Sequence, residues 1–165
     1  GRLLITLMLI NDGVLHSCLF YPSFQFKKNR SEYYRQLTSV RERGTYEEWI
    51  EFFCASLLES AKDSVGSLKS LVDLHNRSTA AITENLGRTA ANGQRLLSLL
   101  EEHPILDTAF IAARLDIGRS TASSLVKSFE ELGILRPLDE SRQRYRQYGY
   151  EEYLSILRED AEPIR

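Results

Sequence analysis

Three arginines near the end of the chain, Arg142, Arg144 and Arg146, alternate with Gln143, Tyr145 and Gln147. In an extended strand successive side chains point to opposite faces, so all three cations share one face. A row of this kind suits the phosphates of a nucleic-acid backbone. Upstream, Arg119, Ser120, Thr121, Ser123, Ser124 and Lys127 fall between apolar residues that recur at helical spacing, namely Ala122, Leu125, Val126, Phe129 and Leu132. The polar set therefore faces outward as two cations and four hydroxyls, groups suited to phosphate and base-edge contacts. The surrounding charge is balanced, however: residues 91–149 hold eight basic and eight acidic residues. That leaves protein contact or dimerisation open beside DNA.

Other reactive side chains carry less. His16 and His75 have no partners at metal-ligand spacing and are expected to be structural or solvent-facing, so no metal site is expected. Cys18 and Cys54 are isolated thiols in apolar surroundings, read as buried free cysteines of a reducing compartment. Tyr33, Tyr34 and Trp49 lie at helical spacing and read as core rather than as a binding box.

Bulk composition allows one domain or two small ones in 165 residues. Hydrophobic residues at 42% and charged residues at 27% fit a globular protein, and a net charge of −2 gives no global basic field. The apolar stretch Leu3-Leu4-Ile5-Thr6-Leu7-Met8-Leu9-Ile10 is shorter than the roughly 20 residues a membrane span needs, and Asn11-Asp12-Gly13 breaks it. No small-residue cleavage site follows, so no membrane partner and a cytoplasmic location are expected.

The elements that must position these groups are mostly helices. Residues 3–10 predict a helix apolar on nearly every side, which demands burial by partners outside this sequence or by another copy. It opens without an N-cap, so the chain reads as the C-terminal portion of a longer protein. Residues 14–20 read as a short helix or buried connection. A second helix is expected over residues 28–43, ended by Gly44. Thr45-Tyr46-Glu47-Glu48 has the form of a capping box. After it, Trp49, Ile50, Phe53, Leu57, Ala61, Val65, Leu68 and Val72 predict one long helix. Residues 77–90 are small and polar and read as a connector.

The last part has its own pattern. Leu96, Leu97, Leu99 and Leu100 predict a helix ending at His103-Pro104; Asp107 or Thr108 caps a short helix carrying Phe110, Ile111, Ala113 and Leu115. Ile117-Gly118 is the expected tight turn, and the next helix, from Arg119, stops at Gly133. Residues 134–138 and 142–148 read as strands of a hairpin, followed by a short helix near residues 151–158. Ile117-Gly118-Arg119-Ser120-Thr121-Ala122 and Phe129-Glu130-Glu131-Leu132-Gly133-Ile134-Leu135 resemble the turn and recognition-helix end of winged helix-turn-helix domains.

Residues 1–75 carry a different resemblance. Gly1-Arg2-Leu3-Leu4-Ile5 is similar to the end of the Fic family signature, HPFxDGNGRxGR followed by an apolar helix. Tyr21-Pro22-Ser23, the run Phe24-Gln25-Phe26-Lys27-Lys28-Asn29-Arg30, Tyr33-Tyr34 with Leu37, and Trp49-Ile50-Glu51-Phe52-Phe53 resemble that family's following segments. The resemblance implies an intact parent that uses ATP and Mg²⁺ to transfer AMP to the hydroxyl of a target protein. Arg2 would then contact a nucleotide phosphate at its helix N-terminus. This chain would be inactive alone, with no catalytic residue of its own, because the motif's base and metal ligand are absent. His103-Pro104-Ile105-Leu106-Asp107 mimics the motif's start but lacks its phosphate cradle.

The expected fold is therefore mainly α: C-terminal helices of a Fic domain over residues 1–76, a connector over 77–90, and a winged helix-turn-helix with a small β-hairpin over 91–165. DNA, a target protein and a second copy are the partners considered. The alternative is a DNA-binding transcriptional regulator whose helical front half is a dimerisation or effector module.

Overall fold

A computed structural model describes residues 2–15, 22–139 and 146–159, without the side chains of Arg2, Leu3 and Glu159. The element order is α1 (Arg2–Asn11), α2 (Pro22–Lys28), α3 (Arg30–Arg43), α4 (Tyr46–Asn85), a 3₁₀ turn (Gly87–Thr89), α5 (Ala90–Glu102), β1 (Ile105–Asp107), α6 (Thr108–Leu115), α7 (Arg119–Glu131), β2 (Arg136–Pro137), β3 (Gln147–Gly149) and α8 (Glu151–Glu159). The protein is mainly α-helical with a small antiparallel sheet and a winged helix-turn-helix. It divides into two compact units, one made chiefly of Gly1–Lys69 and the other Ser70–Arg158. No described helix is long and apolar enough to cross a membrane.

In the first unit Phe26 is the fully buried centre. Its ring lies 5.4 Å from Tyr33 and 5.5 Å from Phe53, and Tyr33 in turn lies 5.5 Å from Trp49. Tilted, stacked and edge-on ring pairs at such distances are favourable packing, so the aromatic residues hold this unit together. Two helices occupy residues 22–43 where one was expected from residue 28. Asn29 separates them, and the break places Phe26 and the buried Gln25 of α2 against α4, where Gln25 donates to Asp63. Gly44 ends α3 in the left-handed conformation at φ 71°, with its N–H bonded to the Val40 carbonyl.

α1 exposes Leu4, Leu7 and Met8 within this chain, and its buried described side chain is Thr6, so the described residues do not supply the cover expected for this helix. Two expectations for this half change. Thr45 does not close a capping box; its hydroxyl donates to Ser39 Oγ at 2.8 Å. Cys54 is exposed on α4, whereas Cys18, like residues 16–20 generally, lies outside the described residues. On α4 the small Ser56 and Ser60 point inward, while Ile50, Val65, Leu68 and Val72 point out. A stripe of large side chains specifies that a helix is amphipathic but not which neighbour covers it.

The second unit has one core. Leu96, Leu97 and Leu100 of α5, Ile111 and Leu115 of α6, and Ala122, Leu125, Val126 and Phe129 of α7 meet there with Leu135 and Tyr150. Residues 77–85, read as connector, are the last turns of α4, and Leu74, Ile82 and Leu86 join this core. Gly93 on α5 explains how closely they approach. A Cβ there would lie 2.7 Å from Ile82 Cγ2 and 2.9 Å from Leu86 Cδ2.

The sheet has the order β1-β3-β2, antiparallel throughout. β1, absent from the sequence-based reading, pairs Leu106 with Tyr148, both buried; β2 pairs Pro137 with the same Tyr148. Pro137 sits at the sheet's edge, where its missing N–H costs no ladder bond. Tyr150 N–H donates to the Pro104 carbonyl at 2.9 Å, which ties α8 to the end of α5.

Candidate nucleic-acid interface

The helix-turn-helix is built from short local signals. Asp107 caps α6 by accepting from the Phe110 N–H at 2.7 Å. Phe110 itself points outward and packs edge-on against the His103 ring, with centroids 5.3 Å apart. Ile111 and Leu115 are the buried side chains of α6, and Ala113 is exposed. The turn's left-handed residue is Asp116, at φ 53°, whose N–H bonds to the Ala112 carbonyl. Aspartate is among the few residues that tolerate that conformation. Gly118 follows at φ −64° as the N-cap of α7, and Arg95 Nη2 donates to the Leu115 carbonyl at 2.7 Å, satisfying the end of α6.

α7 separates its faces as its sequence predicts. Ala122, Leu125, Val126 and Phe129 are buried, while Arg119, Ser120, Ser123, Ser124 and Lys127 are exposed and Thr121 is half-buried. Spacings of one, four, five and eight residues from Arg119 place the exposed five on one arc of the helix. The Lys127 ammonium lies 3.8 Å from Glu131, with both side chains open to solvent. Such an exposed pair holds its cation weakly, so Lys127 can exchange this contact for another anion.

The wing is the connection between β2 and β3. Arg142 and Arg144 lie outside the described residues. Arg146 is half-buried immediately before β3, which begins at Gln147. Sequence reasoning passed over Arg136, exposed at the start of β2 at the root of the wing. The alternation Leu135 in, Arg136 out was the available signal. The Nδ1 of His75 lies 2.7 Å from Glu101 Oε1. No cluster of potential metal ligands occurs among the described residues.

The Tyr150 hydroxyl and Ser78 Oγ share a buried hydrogen bond of 2.8 Å. Burial raises the phenol above its ordinary pKa, with the Ser78 bond acting in the opposite direction. Around it, the Tyr153 hydroxyl donates to the Glu101 carbonyl at 3.2 Å, and Arg77 pairs with Glu152 at 2.7 Å. These polar ties join the end of α4, α5 and α8.

Comparison with known families bears on both halves of the chain. It supports no Fic domain, and the resemblance drawn from residues 1–75 is withdrawn. That likeness rested on the order of several weak segments without the diagnostic loop, and an aromatic-cored helical unit accounts for the same residues. The phosphate role of Arg2, whose side chain lies outside the described residues, loses its basis. So do AMP transfer, ATP, Mg²⁺ and a target protein. What the chain does carry is a match over residues 89–139, from the 3₁₀ turn through α5, α6 and α7 to β2, to the IclR helix-turn-helix domain.

Proposed function

We propose that this chain is a DNA-binding transcriptional regulator whose α7 enters the major groove. The match of residues 89–139 to the IclR helix-turn-helix domain carries this reading. The outward face of α7 supports it chemically. Arg119, Ser120 and Thr121 stand in the first turn, where unpaired backbone N–H groups and the helix dipole favour phosphate. Ser123, Ser124 and Lys127 lie further along the same helix and read base edges or the facing strand. The wing supplies Arg142, Arg144 and Arg146 to the flanking backbone, and Arg136 adds a cation at its root.

Titration of the full chain against duplexes selected from a random pool, at several salt concentrations, tests this. Each phosphate contact contributes about 0.9 to the slope of log K against log salt. Changing Arg119 and Lys127 to Ala is expected to flatten the slope by up to about 1.8. Changing the three wing arginines should flatten it by about 2.7. A chain that selects no duplex, or variants that leave the slope unchanged, would refute the reading and favour a protein partner for the winged module.

A further inference from the structure

The stretch from Lys27 to Arg43 is charged unlike the rest of the chain. It holds six basic and two acidic residues, whereas residues 44–63 directly after it hold one basic and five acidic. All six cations are exposed: Lys27 and Lys28 at the end of α2, and Arg30, Arg35, Arg41 and Arg43 on α3. Glu32 holds Arg35 through two hydrogen bonds. The other five make no ion pair among the described residues, although Lys62, Arg77, Arg114 and Arg158 elsewhere each stand beside a carboxylate. Like charges crowded in this way repel one another, and an anion bound among them relieves the repulsion.

α3 turns one side inward, with Gln36 buried and Tyr33 and Val40 half-buried. Its other side lines an open groove with Ser31, Tyr34, Arg35, Thr38, Arg43 and one carboxylate, Glu42. Arg30, Tyr34 and Arg41, spaced by four and seven residues, form a row about 16 Å long beside it. The Arg30 guanidinium lies 5.7 Å from the centroid of the Tyr34 ring, within range of a cation–π contact. Guanidinium forks and hydroxyls are the groups that bind phosphate oxygens.

We propose that this face of α3 is a second nucleic-acid contact, which holds the phosphate backbone of duplex DNA irrespective of its sequence. The choice of DNA rests on the reading of α7 given above, since DNA is the polyanion that the helix-turn-helix brings to this chain. The chemistry of the face narrows the form. Tyr34 is the one exposed ring of α3, too few to stack the successive bases of a single strand. Leu37 is the only other large apolar side chain that α3 exposes, so the helix lacks the broad apolar side with which a helix lies on a membrane. Unpaired cations and hydroxyls suit the phosphates of a duplex, which position a protein without specifying sequence. α7 is then left to select the site, while α3 adds affinity for any DNA.

The full chain carrying Arg30→Ala, Arg41→Ala and Arg43→Ala tests this, with Arg35 left in place beside Glu32. On a duplex of random sequence, the slope of log K against log salt should flatten by up to about 2.7. Between about 50 and 200 mM salt the unaltered chain should then lose about 40-fold more affinity than the variant. The far-UV spectrum should not change, and Arg30→Lys, Arg41→Lys and Arg43→Lys together should keep the slope. On a duplex the chain selects, its preference over random sequence should persist in the alanine variant and fall with Arg119→Ala and Lys127→Ala. A slope untouched by the three alanines would overturn the proposal while leaving α7 its role. Flattening by the alanines in a chain that selects no duplex would support this contact and refute the reading of α7. Binding to no duplex at all would overturn both. Loss of binding to phosphatidylserine vesicles with the DNA slope unchanged would assign the face to a membrane and overturn the proposal.

Discussion

Adding one methyl group at Gly93 and at Gly66 should have opposite consequences. Both glycines lie inside helices, and Gly→Ala in a helix interior is worth about 1 kcal/mol of stability where the methyl has room. Gly66 has that room: a Cβ built on it meets nothing within 4 Å. Gly93 does not. Its Cβ would fall 2.7 Å from Ile82 Cγ2 and 2.9 Å from Leu86 Cδ2, with Phe129 Cε2 a further neighbour at 3.7 Å. Ile82 is β-branched and fully buried, so its methyl cannot swing aside. Overpacking of this kind costs roughly 1–3 kcal/mol. Set against the propensity gain of about 1 kcal/mol, Gly93→Ala should be net destabilising by about 1 kcal/mol. Urea denaturation followed by far-UV circular dichroism reads both variants, and the fluorescence of Trp49, the single tryptophan, isolates the first unit. With a slope near 2 kcal/mol/M, the midpoints should move about 0.5 M in opposite directions. A Gly93→Ala chain as stabilised as Gly66→Ala would show that α4 and α5 do not pack this closely and would refute the core arrangement.

Asp107→Ala removes the side-chain acceptor for the Phe110 N–H and should cost about 1 kcal/mol; Asp107→Asn, which keeps a capping oxygen, should cost much less in the same denaturation assay. Tyr150→Phe leaves the buried Ser78 hydroxyl without its partner and should destabilise the second unit by about 1–2 kcal/mol at neutral pH. Burial raises the Tyr150 and Tyr153 phenols in the folded state, so the unfolded chain ionises first on going alkaline. Stability held at lower pH is then lost as pH climbs from about 10 through the folded values, and Tyr150→Phe should reduce that loss in melts across the alkaline range.

What the sequence disclosed depended on whether a signal was local. α7 was legible because its apolar period, Gly118 before it and Gly133 after it agree, and Asp107 announced the start of α6. Gly44 likewise marked the end of α3. β1 was not legible: three residues after a proline show no period, and they become a strand only because β3 is there to pair with them. α2 was obscured by Asn29, which continues a helical pattern in sequence while breaking the helix in space. Of the adjacent Phe110 and Ile111 the core takes only Ile111, a choice between neighbours of similar hydrophobicity that so short an apolar pattern does not make. On the candidate interface, the polar arc of α7 was readable residue by residue, and Arg136 was hidden by its short strand. The Fic resemblance failed for a related reason: order and spacing of apolar segments are shared by many helical units, and only a contiguous loop motif distinguishes one chemistry from another.

The contacts of Ser78, Leu74, Ile82 and Leu86 separate the length that reads from the length that folds. The helix-turn-helix recognised by family similarity begins at residue 89, yet four of the side chains that complete its core, or satisfy its buried tyrosine, come from before that point. A transplant of residues 89–139 onto another protein would carry the recognition helix but leave Tyr150 and the last turns of α4 behind. The transferable module is Ser70–Arg158, and evolution could shuffle this helix-turn-helix among proteins only by moving the end of a helix together with it.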